Sequence, residues 1–455
     1  MQLTAPLFLF LFLPLSLALF FLTPQRWRTV TLTVISLAWL TLVNFNTPWG
    51  LLHIALTVLF ALTLSRFVPK KPHFAPVGGL LLFLSLLASH PLAALCSSYS
   101  YPTGLLFITL SAISLLLDRA RGDVKQGDSV LRALCYLLFF PTATLGPAVR
   151  YKHFLVLLRK SAPSTTRFCE GIRLFMLGFI KRIAVAAVFH RALGTILAEA
   201  EAMPLVALPT ALILSFLWLY FFVSGCADMA RGISAMYGLR LPRDRANLLR
   251  ATTPHGMLYA LFFSVHRYLE DYLLTPLSRR VDGKRGRVLT ALLTPTLLLL
   301  LLAPAPAAWL MALPLFATAV FSACRDEPRG KLHPARSVLF FLASAFFCSL
   351  LSLAAMGDPR RLLALLRAVL DGEAARFYSF YFIVPDLQYI LLVAVLFLLI
   401  TLLLQLYRRY ASRLGADTCF YISLFVTALL FAAFLLTLLY FMPQFPQYAR
   451  SLFWL

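Results

Sequence analysis

Residues Tyr136–Phe154 read YLLFFPTATLGPAVRYKHF, an apolar run that carries its own helix breakers in Pro141, Gly146 and Pro147. Proline lacks a backbone donor and clashes with the preceding turn, so this run cannot continue as one straight helix. Basic residues flank both ends. The pattern predicts a chain that dips into a membrane and returns, with a kinked spanning helix as the alternative. Irregular backbone at membrane depth is tolerated where protein buries it or where it lines a wet cavity, so Pro141, Gly146 and Arg150 are expected on a cavity wall.

Around this stretch the chain is overwhelmingly apolar. Of its 455 residues 61% are hydrophobic and 13% charged, more apolar surface than a water-soluble globule can bury. The apolar stretches are unbroken Leu/Phe/Ala runs such as Ala5–Leu22 and Ile390–Leu404, without the alternation of a barrel strand. Further candidate spans are Thr29–Val43, Leu51–Leu64, Val77–Leu95, Gly104–Leu117, Leu205–Val223, Val288–Leu302, Ala307–Phe321, Ser337–Leu353 and Phe420–Phe441. With about 20 apolar residues needed per crossing, the pattern predicts an all-α polytopic membrane protein of roughly a dozen transmembrane and re-entrant helices. The expected organisation is a single domain over 1–455, with N-terminal spans at 1–117, a motif-bearing core at 118–336 and C-terminal spans at 337–455.

A net charge of +23 would suit a nucleic-acid binder, but the basic residues sit in short loops between spans, which excludes that reading. Arg26/Arg28, Arg66/Lys70/Lys71 and Arg119/Arg121/Lys125 fall in alternate loops, while Asn44–Trp49 and Ser97–Pro102 carry no Lys or Arg. The positive-inside rule then places the N-terminus outside and the basic loops in the cytoplasm, in an inner or plasma membrane. Asp358–Phe377 resists the alternation and reads as an amphipathic surface helix. Met1–Pro6 has no positive region of the kind a signal peptide needs, so the first run is expected to remain as a helix. The seven cysteines form no CxxC pair or metal-ligand cluster and read as ordinary thiols, so no metal site is expected.

Two further segments in the core carry charge. Leu219–Pro242 (LYFFVSGCADMARGISAMYGLRLP) sets Ser224 and Asp228 at the end of an apolar run. An Asp at such depth faces the bundle interior and a partner, or else caps the helix or pairs with Arg231 at the surface. Thr253–Arg280 (TPHGMLYALFFSVHRYLEDYLLTPLSRR) starts a helix at Thr253–Pro254 and sets His266 and Glu270, and Arg267 and Asp271, four residues apart. Basic stretches on both sides make it a re-entrant or interfacial hairpin.

In this order the segments resemble the membrane-bound O-acyltransferases, in the branch of the alginate O-acetylases and the teichoic-acid D-alanylation membrane protein. FFPTATLGPAVRYKHF is similar to that branch's FFP…GP…RY signature through Phe139, Phe140, Pro141, Gly146, Pro147, Arg150, Tyr151 and Phe154. Gly178–Arg182 resembles its glycine-plus-basic-pair helix, and YFFVSGCADMARG its SG–D–G element through Tyr220, Phe221, Ser224, Gly225, Asp228, Met229 and Gly232. Tyr237–Pro242 with Ala251–Pro254, and Asp271–Leu277 (DYLLTPL), complete the run, which covers about Tyr136 to Phe321.

The resemblance implies that family's fold and an acyl thioester donor, acyl-CoA or an acyl carrier, with no bound cofactor. It also implies transfer to a hydroxyl of an exported polysaccharide or glycopolymer, and a periplasmic or extracellular acyltransferase or acyl-carrier partner besides the membrane lipids. It implies a tunnel, with Pro141, Gly146, Arg150, Ser224, Asp228, Phe262 and Trp309 as lining residues. In the family a buried histidine is the general base, since a hydroxyl is a poor nucleophile until its proton is removed. The family's Trp-His pair falls at Leu261 and Phe262, and its later histidines fall near Pro304–Pro306 and at Thr318, where no histidine stands. His266 lies one turn after Phe262, and with Glu270 and Asp271 it is the nearby candidate for the base. A shift of about 5.4 Å would misplace such a base, so a purely structural polar network is the competing reading. The sequence therefore leaves two functions open, a diverged acyltransferase and an inactive homologue serving as a scaffold or partner subunit.

Overall fold

The computed structural model describes residues 6–96, 99–124, 128–161, 163–198, 207–242, 254–278, 346, 349 and 416–441. All elements among them are helical: α1 (Leu13–Leu22), α2 (Arg28–Val43), α3 (Pro48–Phe67), α4 (Phe74–Leu95), α5 (Leu105–Ala120), α6 (Val130–Leu138), α7 (Phe140–Leu145), α8 (Tyr151–Arg159), α9 (Thr165–Phe179), α10 (Ala187–Ala198), α11 (Ala207–Met236), α12 (Pro254–Leu261), α13 (Phe263–Leu269), α14 (Thr275–Ser278) and α15 (Ala416–Phe441). Three wider π-helical turns interrupt the series, at Phe8–Phe12, Ile180–Ala186 and Glu270–Leu274.

By length and composition two of the described helices, Pro48–Phe67 and Leu208–Met236, can cross a membrane. The shorter apolar helices include Phe8–Leu22, Arg28–Val43, Phe74–Ser89 and Leu424–Leu439, at sites where spans are expected. The expected spans at Val288–Leu302, Ala307–Phe321 and Ile390–Leu404, and the surface helix at Asp358–Phe377, lie outside the described residues.

The chain divides into two compact units, the first of Met1–Phe175, Ala227–Asp244 and Phe262–Pro304, the second of Met176–Cys226, Arg245–Leu261 and Ala305–Leu455. In the first, α5 packs against α3, α4, α6, α7 and α8. It is the buried strut of the unit, covering Ile108, Ala112, Leu115 and Leu116 completely. α3 shows how an all-apolar helix divides its surface. It buries Ile54, Val58, Ala61 and Ser65 and exposes Leu52, Leu56 and Leu59, two stripes at helical spacing. The outer stripe suits lipid, which solvates leucine at no cost.

The Tyr136–Phe154 run is broken twice, as its prolines and glycine require. α6 ends at Phe139, and α7 restarts with Pro141 in its first turn while the Phe140 N–H donates to Ser36 Oγ at 3.2 Å. Gly146 then takes φ +73 and precedes a cis bond to Pro147. A Cβ there would lie 2.8 Å from Phe107, so both the backbone angle and the space demand glycine. Beyond the turn the chain comes back beside α6: Tyr136 Oη donates to the Val149 carbonyl at 2.6 Å, and the Tyr136 ring packs on Tyr151 and Phe154.

α11 ends as a glycine-capped helix. Gly238 adopts φ +81, its N–H reaches the Ala235 carbonyl at 2.9 Å, and the Leu239 N–H reaches Ser234 at 2.8 Å. The preceding Tyr237 is fully buried, and it holds the N-terminal helix through a 2.7 Å hydrogen bond to Ser16 and an edge contact with Phe20. Phe8, Phe12, Trp39 and Phe140 continue that aromatic cluster. Near this end α9 and α11 touch backbone to backbone, because a Cβ on Gly232 would sit 2.5 Å from Phe175 N and 2.7 Å from Gly171 O. In the second unit Gly225 meets Gly178 O and Arg182 N at 2.9 and 3.0 Å in the same sense.

Replacing Gly232 by Val is expected to cost about 1–3 kcal/mol, the range for overpacking a filled interface. Gly194→Ala, with nothing within 4 Å of the added carbon, is the control. Thermal unfolding of the detergent-solubilised protein checks the pair: a lower midpoint for Gly232→Val and none for Gly194→Ala.

Candidate functional site

Asp118 stands near the C-terminal end of α5, where the helix dipole disfavours a carboxylate, and it is fully buried. Three donors answer it, and a fourth group supports one of them. Arg150 Nη2 lies 2.9 Å from Oδ1, Tyr272 Oη donates to the same oxygen at 2.6 Å, and the Lys152 N–H donates to Oδ2 at 3.0 Å. The fourth acts through Tyr272: the Tyr272 proton is committed to Asp118, so Ser114 Oγ, which accepts the Tyr151 N–H at 2.9 Å, donates to Tyr272 Oη at 2.7 Å.

Arg150 is the hub. Besides Asp118, its guanidinium reaches Asp123 at 3.1 Å, Asp271 at 3.1 Å and Tyr272 Oη through Nε at 3.1 Å, and it lies over the Tyr272 ring. The planar five-donor fork allows one side chain to serve four acceptors on two distant segments, 118–123 and 271–272. Burial works against its charge, but the hydrogen bond to Asp118 and the neighbouring negative charge outweigh burial and raise its pKa. Burial pushes the Tyr272 phenol up, with Asp118 adding to it, so Tyr272 remains a donor. Lys152 pairs with Asp123 at 3.0 Å, and Arg121 donates to the Asp271 carbonyl at 3.1 Å from above the Tyr272 ring. His153 nearby is pushed down by burial and then by Arg150 and Lys152, so it adds no charge at neutral pH.

A second layer braces the first. Tyr151 Oη donates to Asp128, which also pairs with Arg132 at 2.7 Å. Arg119 holds Ser65 through its carbonyl and hydroxyl at 3.1 and 3.0 Å, and Tyr268 Oη donates to the Leu110 carbonyl at 2.7 Å.

The expected pairs on the 253–280 segment rearrange. The helix is not continuous there: it bends at Phe262 (φ −113, ψ 44) and widens into the π turn from Glu270 to Leu274, so residues four apart no longer share a face. His266 is buried at 4% exposure while Glu270 is exposed, and the two do not form the expected pair. Asp271 turns to Arg150, and Arg267 lies exposed against Phe263.

Of the expected lining residues, Pro141 starts α7, Gly146 makes its turn against Phe107, Arg150 is the hub, and Phe262 is buried at the bend. Asp228 is fully buried and pairs with Arg231 at 3.3 Å, so the Arg231 pair expected at the surface lies instead inside the first unit. Ser224, in the second unit, accepts from Lys181 Nζ at 3.2 Å. Lys181 and Arg182 are 3% and 4% exposed inside the π turn 180–186, with Arg182 over the Phe222 ring. Trp309, Pro304–Pro306 and Thr318 lie outside the described residues. Tyr272 and Asp118, the two ends of the network, escaped the sequence reading. Tyr272 stood within DYLLTPL, but only its distance from Asp118 in the chain is legible without a structure.

Arg150→Leu strands Asp118 and Asp271 and is expected to destabilise the protein by about 3–5 kcal/mol, the cost of breaking a buried pair. Tyr272→Phe leaves Arg150 in place and is expected to cost about 1–2 kcal/mol. Unfolding of both variants in mixed micelles measures the ratio.

Residues 82–298 match the pattern of the family described as MBOAT, membrane-bound O-acyltransferase family. The probable alginate O-acetylase AlgI of Pseudomonas aeruginosa is 25% identical over 320 residues, covering 63% of this chain and 58% of its own length. The Pseudomonas putida protein of the same name is 26% identical over 321 residues (62% and 62%), and that of Azotobacter vinelandii 25% over 313 residues (63% and 60%). The chain thus spans about six-tenths of the length of these relatives. The polar hub of Asp118, Arg150 and Tyr272 falls wholly inside the stretch that is similar to the membrane-bound O-acyltransferase family.

Proposed function

We propose that this protein acts in the O-acylation of a cell-envelope polysaccharide or glycopolymer, moving a small acyl group to a hydroxyl across the membrane, with a reaction centre that has diverged within its family. The family match at 82–298, with its motif segments in order, carries the reading. The relatives' name, probable alginate O-acetylase, supports an exported polysaccharide as acceptor and acetyl as a fitting acyl group.

The donor is an acyl thioester, acyl-CoA or an acyl carrier, arriving from the cytoplasmic side. The alternating basic loops support an inner or plasma membrane protein with its N-terminus outside. A periplasmic or extracellular acyltransferase or a carrier protein completes the pathway. His266 is the base in this reading, as the buried imidazole one turn from the position where the resemblance sets the family's histidine. Asp271 and Glu270 flank it, Asp271 held by Arg150.

One observation favours a second reading. Leu261 and Phe262 are apolar and buried where the resemblance sets a Trp-His pair, which suits a homologue that keeps the fold and serves as a scaffold or partner subunit.

The test is the ester content of the envelope polymer in a deletion strain complemented with variants, together with thioester-dependent transfer by the purified protein in nanodiscs. Deletion is expected to lower the ester content. His266→Ala is expected to reduce transfer by about 10²–10⁴-fold, the range of a general base. Unchanged ester content on deletion overturns the function. Full activity in both His266→Ala and Glu270→Gln removes the site assignment, and transfer by the purified protein alone excludes the scaffold.

A further inference from the structure

One histidine outside the Arg150 hub is held between two hydroxyls. His53, on α3, has Nε2 at 2.7 Å from Ser85 Oγ on α4 and Nδ1 at 2.8 Å from Tyr99 Oη. Its partners come from two other segments, 32 and 46 residues away, so no helical spacing could announce them. All three side chains are half-buried, within reach of a small reagent.

The third member is delivered by a pinned loop. Asn44 donates through Nδ2 to the Leu40 and Thr103 carbonyls at 3.0 and 3.2 Å, and its Oδ1 accepts the Thr103 N–H at 2.8 Å. Gly50 lets the same loop lie on the start of α3, since a Cβ there would meet Pro102 at 2.8 Å and Ser100 O at 3.0 Å. The Tyr99 N–H closes a turn on Cys96 O at 3.0 Å. Ser100, Pro102 and Thr103, next to Tyr99, are thus held against α3 and Asn44.

An activated Ser85 requires one of the two imidazole tautomers, the one in which Ser85 Oγ donates to Nε2 and the ring carries its own proton on Nδ1, donating it to Tyr99 Oη. A hydroxyl on one ring nitrogen and an orienting group on the other is the arrangement of an activated nucleophile and its base.

We propose that Ser85, His53 and Tyr99 form an acyl-accepting site, in which Ser85 takes a small acyl group from an activated ester or thioester. Ser85 Oγ bonds to the carbonyl carbon while its proton moves to His53 Nε2. The bond to the leaving alkoxide or thiolate breaks, and the His53 proton goes to that leaving group. An acceptor hydroxyl then attacks the acyl-serine, losing its proton to His53 as Ser85 Oγ leaves and takes one back. Ser85 and His53 are catalytic, and Tyr99 is a positioning residue. On the orientation proposed above, the neighbouring Asn44–Trp49 and Ser97–Pro102 loops lie on the outer side, where an exported polymer would present its hydroxyls.

The site stands on these three side chains and not on the family reading, so its test uses p-nitrophenyl acetate, which requires neither polymer nor partner. The full chain in nanodiscs is expected to release a burst of one equivalent of p-nitrophenolate per chain. It should also carry an acetyl group on the peptide containing Ser85. Ser85→Ala abolishes the label, and His53→Gln slows the burst at least about hundredfold. Tyr99→Phe keeps the burst amplitude and lowers its rate constant about tenfold, the factor of one hydrogen bond. A loss of folded protein would lower the amplitude instead. Ser85→Cys, which preserves a nucleophile, serves if Ser85→Ala fails to fold, and its label becomes cleavable by neutral hydroxylamine. A wild-type protein with no acetyl on Ser85, or a burst unchanged in His53→Gln, overturns the site and leaves the polymer-ester experiment to decide the proposed function on its own.

Discussion

A carboxylate removed from water needs its charge answered where it stands, and Asp118 is such a carboxylate at the foot of α5, the helix against which α3, α4, α6, α7 and α8 pack. Everything around it is arranged as that answer. Arg150 is placed by the turn at Gly146, Tyr272 by the π turn, and the Lys152 N–H by the start of α8. Arg150 and Tyr272 are also bonded to each other, so losing either one leaves both Asp118 and the other with an unanswered group.

The apolar side of the fold works on the opposite principle. Helices bathed in lipid gain nothing from hiding leucine, so close association must come from shape. Gly171 against Gly232, and Gly178 against Gly225, bring helix backbones into contact without side chains between them. The motif glycines of the Leu219–Pro242 segment are thus packing devices, while its Asp228 is the buried charge that Arg231 accompanies.

How much was legible in the sequence depended on how local the cause was. The breaks in Tyr136–Phe154 were readable because proline and glycine act on their own backbone, and the start of α12 at Pro254 for the same reason. The candidate base pair was misread because a four-residue spacing carries meaning only on a regular helix. That regularity fails at both Phe262 and Glu270. Asp118 sat unremarked at the end of a candidate span, since its partners are 32 and 154 residues away. His53 has no carboxylate at helical spacing, and its partners are hydroxyls from other segments that the sequence does not announce.

The span between Asp118 and Tyr272 also sets a timetable for biogenesis. A ribosome adding about 5–20 residues per second delivers Arg150 within seconds of Asp118 but Tyr272 only after about 8–31 seconds. In that interval the carboxylate has one strong partner and an unfilled place. The charge of Asp118 is therefore answered early by Arg150, while its full set of partners closes only when the part of the chain that carries Asp271 and Tyr272 arrives.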